Sequence, residues 1–162
     1  MAVRTLTVDD ADELTRLLLA NRDAHEPFQP ARPEGFFTLE VQRQRIATAD
    51  HLYGIFDCEV LAGIIELSNI ARGPFQSSTV GYWVDEARRG RGLATRAVAA
   101  IVELAFHDLD LHRLEAATLV DNHASQRVLE KNRFHRIGLA PHYLQIAGAW
   151  RDHVLFQRTV DD

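Results

Sequence analysis

Residues 82–95 read Tyr82-Trp83-Val84-Asp85-Glu86-Ala87-Arg88-Arg89-Gly90-Arg91-Gly92-Leu93-Ala94-Thr95. A β-prone apolar run gives way to a basic turn with two glycines, and the turn opens directly into a helix. In that helix Val98, Ile101, Val102 and Ala105 form an apolar face. Glycine lets a backbone turn tightly and approach a ligand closely, which any Cβ would hinder. The first amides of a helix lack intrahelical partners and lie at the positive end of its dipole. A pyrophosphate placed there accepts several backbone hydrogen bonds. Arg88, Arg89 and Arg91 add charge nearby. At this point the segment is either a phosphate cradle or a solvated basic turn capping a helix. Two other phosphate loops do not fit. The Gly-Lys-Ser/Thr ending of a nucleotide triphosphatase loop is missing, as is the glycine spacing of a Rossmann fingerprint.

Working outward, Val3 to Thr7 alternates like a short strand, and Asp9 and Asp10 open a helix with Ala11, Leu14 and Leu18 on one face. His25 to Gly35 carries three prolines and reads as an irregular loop before a second helix from about Thr38 to Ala47. Tyr53 to Asp57 and Val60 to Ile70 form strands joined by a Cys58-Glu59 turn, and Thr79 to Val84 is another strand. After the basic loop and its helix, Arg113 to Val120 is a strand and Asn122 caps a short helix to about Lys131. Phe134 to Ile137, Tyr143 to Ile146 and Val154 to Thr159 are closing strands, with Ala147-Gly148 as a hairpin turn. The order predicts one α+β (mixed α/β) domain over residues 1–162, with a central sheet of six or seven strands.

The 162 residues suffice for a proper core without disulfides or metals. Net charge is -5, which disfavours a general nucleic-acid binder and suits a cationic acceptor. Cys58 is the only cysteine, so no intrachain disulfide forms. There is no signal core and no apolar run long enough to span a bilayer, which points to a cytoplasmic protein. The eight histidines lack any metal-ligand spacing, so no metal site is expected and they are taken as scattered surface or core residues.

The basic loop also matches a family pattern: Arg89, Gly92 and Ala94 occupy the Arg/Gln, Gly and Gly/Ala positions of the GNAT acetyltransferases. The resemblance extends to Gly81-Tyr82-Trp83-Val84, Leu111-His112-Arg113-Leu114-Glu115-Ala116, Asn122 with Ser125, Val128-Leu129-Glu130-Lys131-Asn132 and Gly148-Ala149-Trp150-Arg151-Asp152-His153. These segments resemble the ribosomal-protein N-terminal acetyltransferase branch. Ser68 to Phe75 looks closest to members acting on an N-terminal alanine. The resemblance implies a GNAT fold, with a mostly antiparallel sheet flanked by helices. An irregularity at Tyr82–Val84 would splay that strand from Arg113–Val120 to admit the pantetheine arm. It implies acetyl-CoA as acetyl donor and an amine acceptor, a ribosomal protein N-terminus among the candidates. The protein would be a monomer or homodimer with no direct nucleic-acid or membrane partner.

Carried over residue by residue, the resemblance assigns Arg89, Gly90, Arg91, Gly92, Leu93, Ala94 and Thr95 to the CoA phosphates. Trp83 and Val84 would bond the arm, and an amide near Val84 would polarise the thioester oxygen. Asn122 either bonds the cofactor or caps its helix, and both roles are compatible. Lys131 either meets a CoA phosphate or is simply solvated. Two departures stand out: Leu129 occupies the position of a common tyrosine acid, and Arg133 replaces a common glycine before Phe134. Ser125 is then the acid candidate at the CoA sulfur, its rival role being a bond to the helix backbone. Glu66 is either the base, acting through water, or a solvent-facing strand residue, and Glu115 is given a structural role. Tyr82, Trp83 and Trp150 are packing residues first. Two rival functions stay open: a small-molecule amine acetyltransferase, and a CoA-binding regulatory protein without turnover.

Overall fold

The computed structural model describes residues 1–162. Its centre is a seven-stranded sheet in the order β1-β2-β3-β4-β5-β7-β6. The strands are β1 (Ala2–Thr5), β2 (Leu52–Asp57), β3 (Val60–Ala71), β4 (Ser77–Val84), β5 (Arg113–Leu119), β6 (His135–Ile146) and β7 (Ala149–Thr159). Every neighbouring pair is antiparallel except β4 and β5. The helices are α1 (Ala11–Ala20), α2 (Arg22–His25), α3 (Leu39–Thr48), α4 (Leu93–Glu103) and α5 (His123–Lys131).

Period-two alternation sends each strand's side chains to opposite faces, and each face has its own core. On one face Ile65, Val80, Leu114 and Phe156 pack with Leu93, Ala97, Val98 and Ile101 of α4 and with Leu129 of α5. On the other, Leu52, Leu61 and Ile64 pack with Leu14 and Leu18 of α1 and Ile46 of α3. Burying such a side chain contributes roughly 1.5–3 kcal/mol. The apolar stripe predicted for α4 therefore faces the larger core.

The first helix is started by Asp10. Its carboxylate accepts from the Thr7 amide at 2.8 Å and is clamped by both Arg4 Nη atoms at 2.7 and 2.8 Å. The Cys58-Glu59 turn has φ of 50° and 70°, and Ala147-Gly148 has 49° and 80°, which are the left-handed values of two-residue hairpin turns. The two closing strands predicted at 134–137 and 143–146 are a single long β6. Its register against β7 shifts between Arg136 and Gly138 and again between Ala140 and Leu144. Those bulges break the alternation in the sequence, so one bent strand looks like two short ones.

Close approach fixes one glycine. A Cβ on Gly63 would stand 2.2 Å from the Trp83 carbonyl oxygen across the β3–β4 pair. The register there runs unbroken from Leu67–Val80 to Gly63–Val84. The irregularity predicted at Tyr82–Val84 is thus absent from the register. The splay arises instead because β4 and β5 pair only from Ser77–Arg113 to Thr79–Glu115 and then part.

Candidate active site

The parted strands open a cleft of about 630 Å³. Backbone pairing explains why its walls carry free hydrogen-bonding groups. The Asp85 amide bonds the Ala62 carbonyl at 2.7 Å, so alternate residues of β4, Trp83 and Gly81, also turn their backbone toward β3. Tyr82 and Val84 then turn theirs toward the gap. On the far wall the Val160 amide bonds the His112 carbonyl at 2.9 Å. The same alternation aims the backbones of Ala117 and Leu119 into the gap. Buried backbone groups are rarely left unpaired, so this gap suits a ligand rich in amides. A pantetheine arm meets that requirement. The Thr118 hydroxyl, buried at the same wall, also has no partner.

One end of the cleft is closed by the basic loop. Gly90 and Gly92 adopt φ of 78° and 71°, and Gly92 is the residue from which α4 starts. Asn21 holds the loop in place: its side chain accepts from the Glu86 amide at 2.8 Å and donates to Asp85 at 3.1 Å. Arg89, Gly90, Gly92, Leu93, Ala94 and Thr95 all border the cleft. Arg91 does not. Its guanidinium lies 3.2 Å from Asp57, which also pairs with Arg88 at 3.1 Å. A backbone cradle with a positive rim fits the diphosphate of CoA.

The α5 wall brings in Asn122 and Ser125. Asn122 caps the helix, its Oδ1 accepting from the Ser125 amide at 3.2 Å, and it borders the cleft as well. The Ser125 hydroxyl lies 2.9 Å from that of Tyr82, which also reaches the Ser125 carbonyl oxygen at 3.2 Å. Burial pushes the Tyr82 phenol up to about 12, with the Ser125 hydrogen bond opposing. Tyr82 therefore stays protonated through the neutral range. When it donates to Ser125 Oγ, the serine's own proton is free to face the cleft. The pairing joins residues 43 positions apart, a distance that sequence spacing does not bridge. Leu129 is fully buried under the α5 wall, and Lys131 borders the cleft at the helix end. Arg133 has φ of 59°, which accounts for a glycine preference there, and it stands off the cleft.

Glu66 is not on the wall of this cleft. It sits one strand behind, opposite Gly81, where its carboxylate pairs with Arg45 at 2.8 Å and borders a separate groove. Glu115 pairs with Arg113 at 2.8 Å, consistent with a structural role.

The mouth on the sheet face away from α4 and α5 is built from segments far apart in the chain. His25, Phe28 and Gln29 come from α2 and the proline segment, and His153 comes from β7. The Ala147 amide donates to the Gln29 carbonyl at 3.1 Å, so the proline segment and the β6–β7 turn meet. The His25 ring packs on Trp83 at 4.9 Å between centroids. Burial pushes its imidazole below the ordinary value, while a backbone contact with Val84 pulls the other way. No Asp or Glu stands anywhere on the cleft wall, so the chain's acidic excess lies elsewhere.

Residues 1–135 match the family model described as an acetyltransferase (GNAT) domain. The chain is 40% identical over 161 residues to the Probable N-acetyltransferase YjcK of Bacillus subtilis (strain 168), covering 93% of this chain and 89% of that one. It is similar to the crystal structure of a ribosomal-protein-S5-alanine acetyltransferase from Vibrio fischeri. That match has a TM-score of 0.93 and 33% identity, covering 99% of this chain and 93% of that chain. RimJ of Mycobacterium smegmatis, solved in complex with CoA-disulfide, superposes with a TM-score of 0.93 at 28% identity, covering 98% and 81%.

Proposed function

This chain belongs to the GNAT acetyltransferase family, and from that premise we propose that its acceptor is the α-amine of a protein N-terminus, with a ribosomal protein beginning in alanine as the preferred target. Acetyl-CoA-dependent N-acetyl transfer comes with the family. The acceptor is our own assignment. The observation that carries it is the absence of carboxylates from the cleft wall. A polyamine or aminoglycoside is a polycation and needs several counter-charges, which this cleft lacks. A peptide terminus brings a single charge at the reacting nitrogen and an otherwise neutral backbone. The likeness to the Vibrio fischeri enzyme that acts on ribosomal protein S5 supports the same choice. We place the protein in the cytoplasm, where such acceptors are made; no helix is long and apolar enough to cross a membrane.

In this reading the loop amides of residues 90–94 and Arg89 hold the diphosphate, and Asn122 steadies the arm. The inward backbone of Tyr82 and Val84 holds the thioester against the acceptor. A donor amide there stabilises negative charge as it grows on the carbonyl oxygen. Ser125, backed by the un-ionised Tyr82, supplies a proton to the departing sulfur. Glu66 is committed to Arg45 and is left a structural part.

The test is mass spectrometry of Ala-, Ser- and Met-starting peptides and of ribosomal proteins, incubated with the protein and acetyl-CoA beside polyamines and aminoglycosides. Acetylation of the α-amine, strongest on alanine, is the expected result. Acetylation confined to the small amines, with every peptide untouched, overturns the assignment.

A further inference from the structure

We propose that His153 is the proton acceptor for the incoming ammonium, a role that rests on the α-amine reading above. His153 lies on β7 opposite Leu119, where the cleft wall ends, and its side chain is almost wholly buried at 3% exposure. Its neighbours on β7, Val154 and Phe156, point into the core under α4 and α5, so alternation places His153 on the other face with the acceptor mouth. The ring is held in one orientation. Nδ1 lies 2.9 Å from the Arg151 carbonyl oxygen, which can only accept, so Nδ1 carries the proton. The neutral ring then has its lone pair on Nε2, the nitrogen left without a protein partner at the cleft. Tyr143, at the second bulge of β6, packs on the ring at 5.6 Å between centroids.

The charged groups around it do not compete for that lone pair. Arg151 is paired with Asp121 at 3.5 Å, and the Asp152 carboxylate accepts from the His142 amide at 2.9 Å. His25, across the mouth, is held toward its neutral form by burial. No carboxylate on the cleft wall offers a rival base.

An α-amine titrates near about 7.7–8.0, so near neutrality most acceptor arrives as ammonium and must lose a proton before it can attack. Nε2 takes this first proton and passes it to solvent. The amine nitrogen then forms its bond to the thioester carbonyl carbon, and the carbon–sulfur bond breaks with its electron pair going to sulfur. Sulfur gains a proton from Ser125, and the nitrogen's second proton, passed through water, restores the serine hydroxyl. The balance is ammonium plus acetyl-CoA to acetamide, CoA thiol and one proton.

His153→Asn keeps a donor for the Arg151 carbonyl and removes Nε2. In the full chain kcat/KM at pH 6.5 is expected to fall roughly a hundredfold. The loss should shrink to a few fold at pH 9, where the amine is already neutral, and acetyl-CoA affinity by calorimetry should be unchanged. Ring spectra of ¹⁵N-histidine-labelled wild type, which need no acceptor, should show the Nδ1–H tautomer at pH 8. An equal loss at every pH, or an Nε2–H tautomer, overturns the proposal. Should His153→Asn not fold, His153→Gln is measured the same way and judged by the same two criteria. If wild type acetylates a small amine and no peptide, the acceptor reading falls. The ring-tautomer measurement, which needs no acceptor, then still decides His153.

Discussion

At the cofactor end of the cleft, consecutive residues 85–95 turn through two left-handed glycines into α4, and this one segment supplies the backbone cradle, with Lys131 added from the end of α5. At the acceptor end, His25, Phe28 and Gln29 are joined with His153 from the opposite end of the chain, held by a hydrogen bond between Ala147 and Gln29. The first end is made mainly by local conformation, with Asn21 and Asp57 steadying it from outside the segment. The second exists only once β7 has found β5 and β6. Changes in one end should therefore leave the other intact, and a protein that loses both together would contradict this division.

The largest expected effect is on turnover. Ser125→Ala removes the hydroxyl that Tyr82 touches, and kcat should fall by roughly ten- to a hundredfold while acetyl-CoA affinity stays within a few fold. Stopped-flow and steady-state assays with calorimetry separate the two. An unchanged kcat, with chemistry rate-limiting, returns Ser125 to helix capping alone.

A smaller effect, confined to the cofactor end, is expected from Gly92→Val. Its φ of 71° strains any branched residue, and the Cβ would stand 3.3 Å from the Arg96 guanidinium, at a glycine that borders the cleft. Acetyl-CoA affinity should weaken roughly tenfold, about 1.4 kcal/mol, with the domain still folded. Unaltered affinity in a folded variant would remove the phosphate assignment from this loop.

The smallest lies outside both ends. Asp10 is held down at about 2, chiefly by its hydrogen bonds with Arg4, with burial opposing. A carboxylate held below its unfolded value near about 3.9 stabilises the fold above that pH, and this contribution fades as pH falls toward the folded value. Arg4 is half exposed, so solvent screening reduces the gain. Asp10→Asn should cost about 1–2 kcal/mol at pH 7 and much less near pH 2, with acetyl-CoA affinity unaltered. Urea unfolding at the two pH values measures this difference.

The same division governs what was legible beforehand. Glycine spacing, the apolar face of α4 and the Asn122 cap are short-range patterns, so the loop and both helices of the cofactor end fall where the sequence places them. Arg91 belongs to the same segment, yet its guanidinium answers to Asp57, 34 residues away. Glu66 faces Arg45 on α3 rather than the cleft, and strand alternation alone does not show which partner waits on that face. His153 is invisible for the opposite reason. A histidine in an alternating strand is unremarkable until β5 and β6 flank it.

The strand order also bears on how the chain is made. β7, last in the chain, lies between β5 and β6. During synthesis, residues 135–146 leave the ribosome with no neighbour to pair with until residues 149–159 follow them. A product ending at Gly148 would keep the basic loop and α4, but the β5 edge would be bare and β6 adrift. Bare strand edges attract other chains. Unfinished copies should therefore aggregate or be degraded rather than survive as half-enzymes that bind acetyl-CoA without using it.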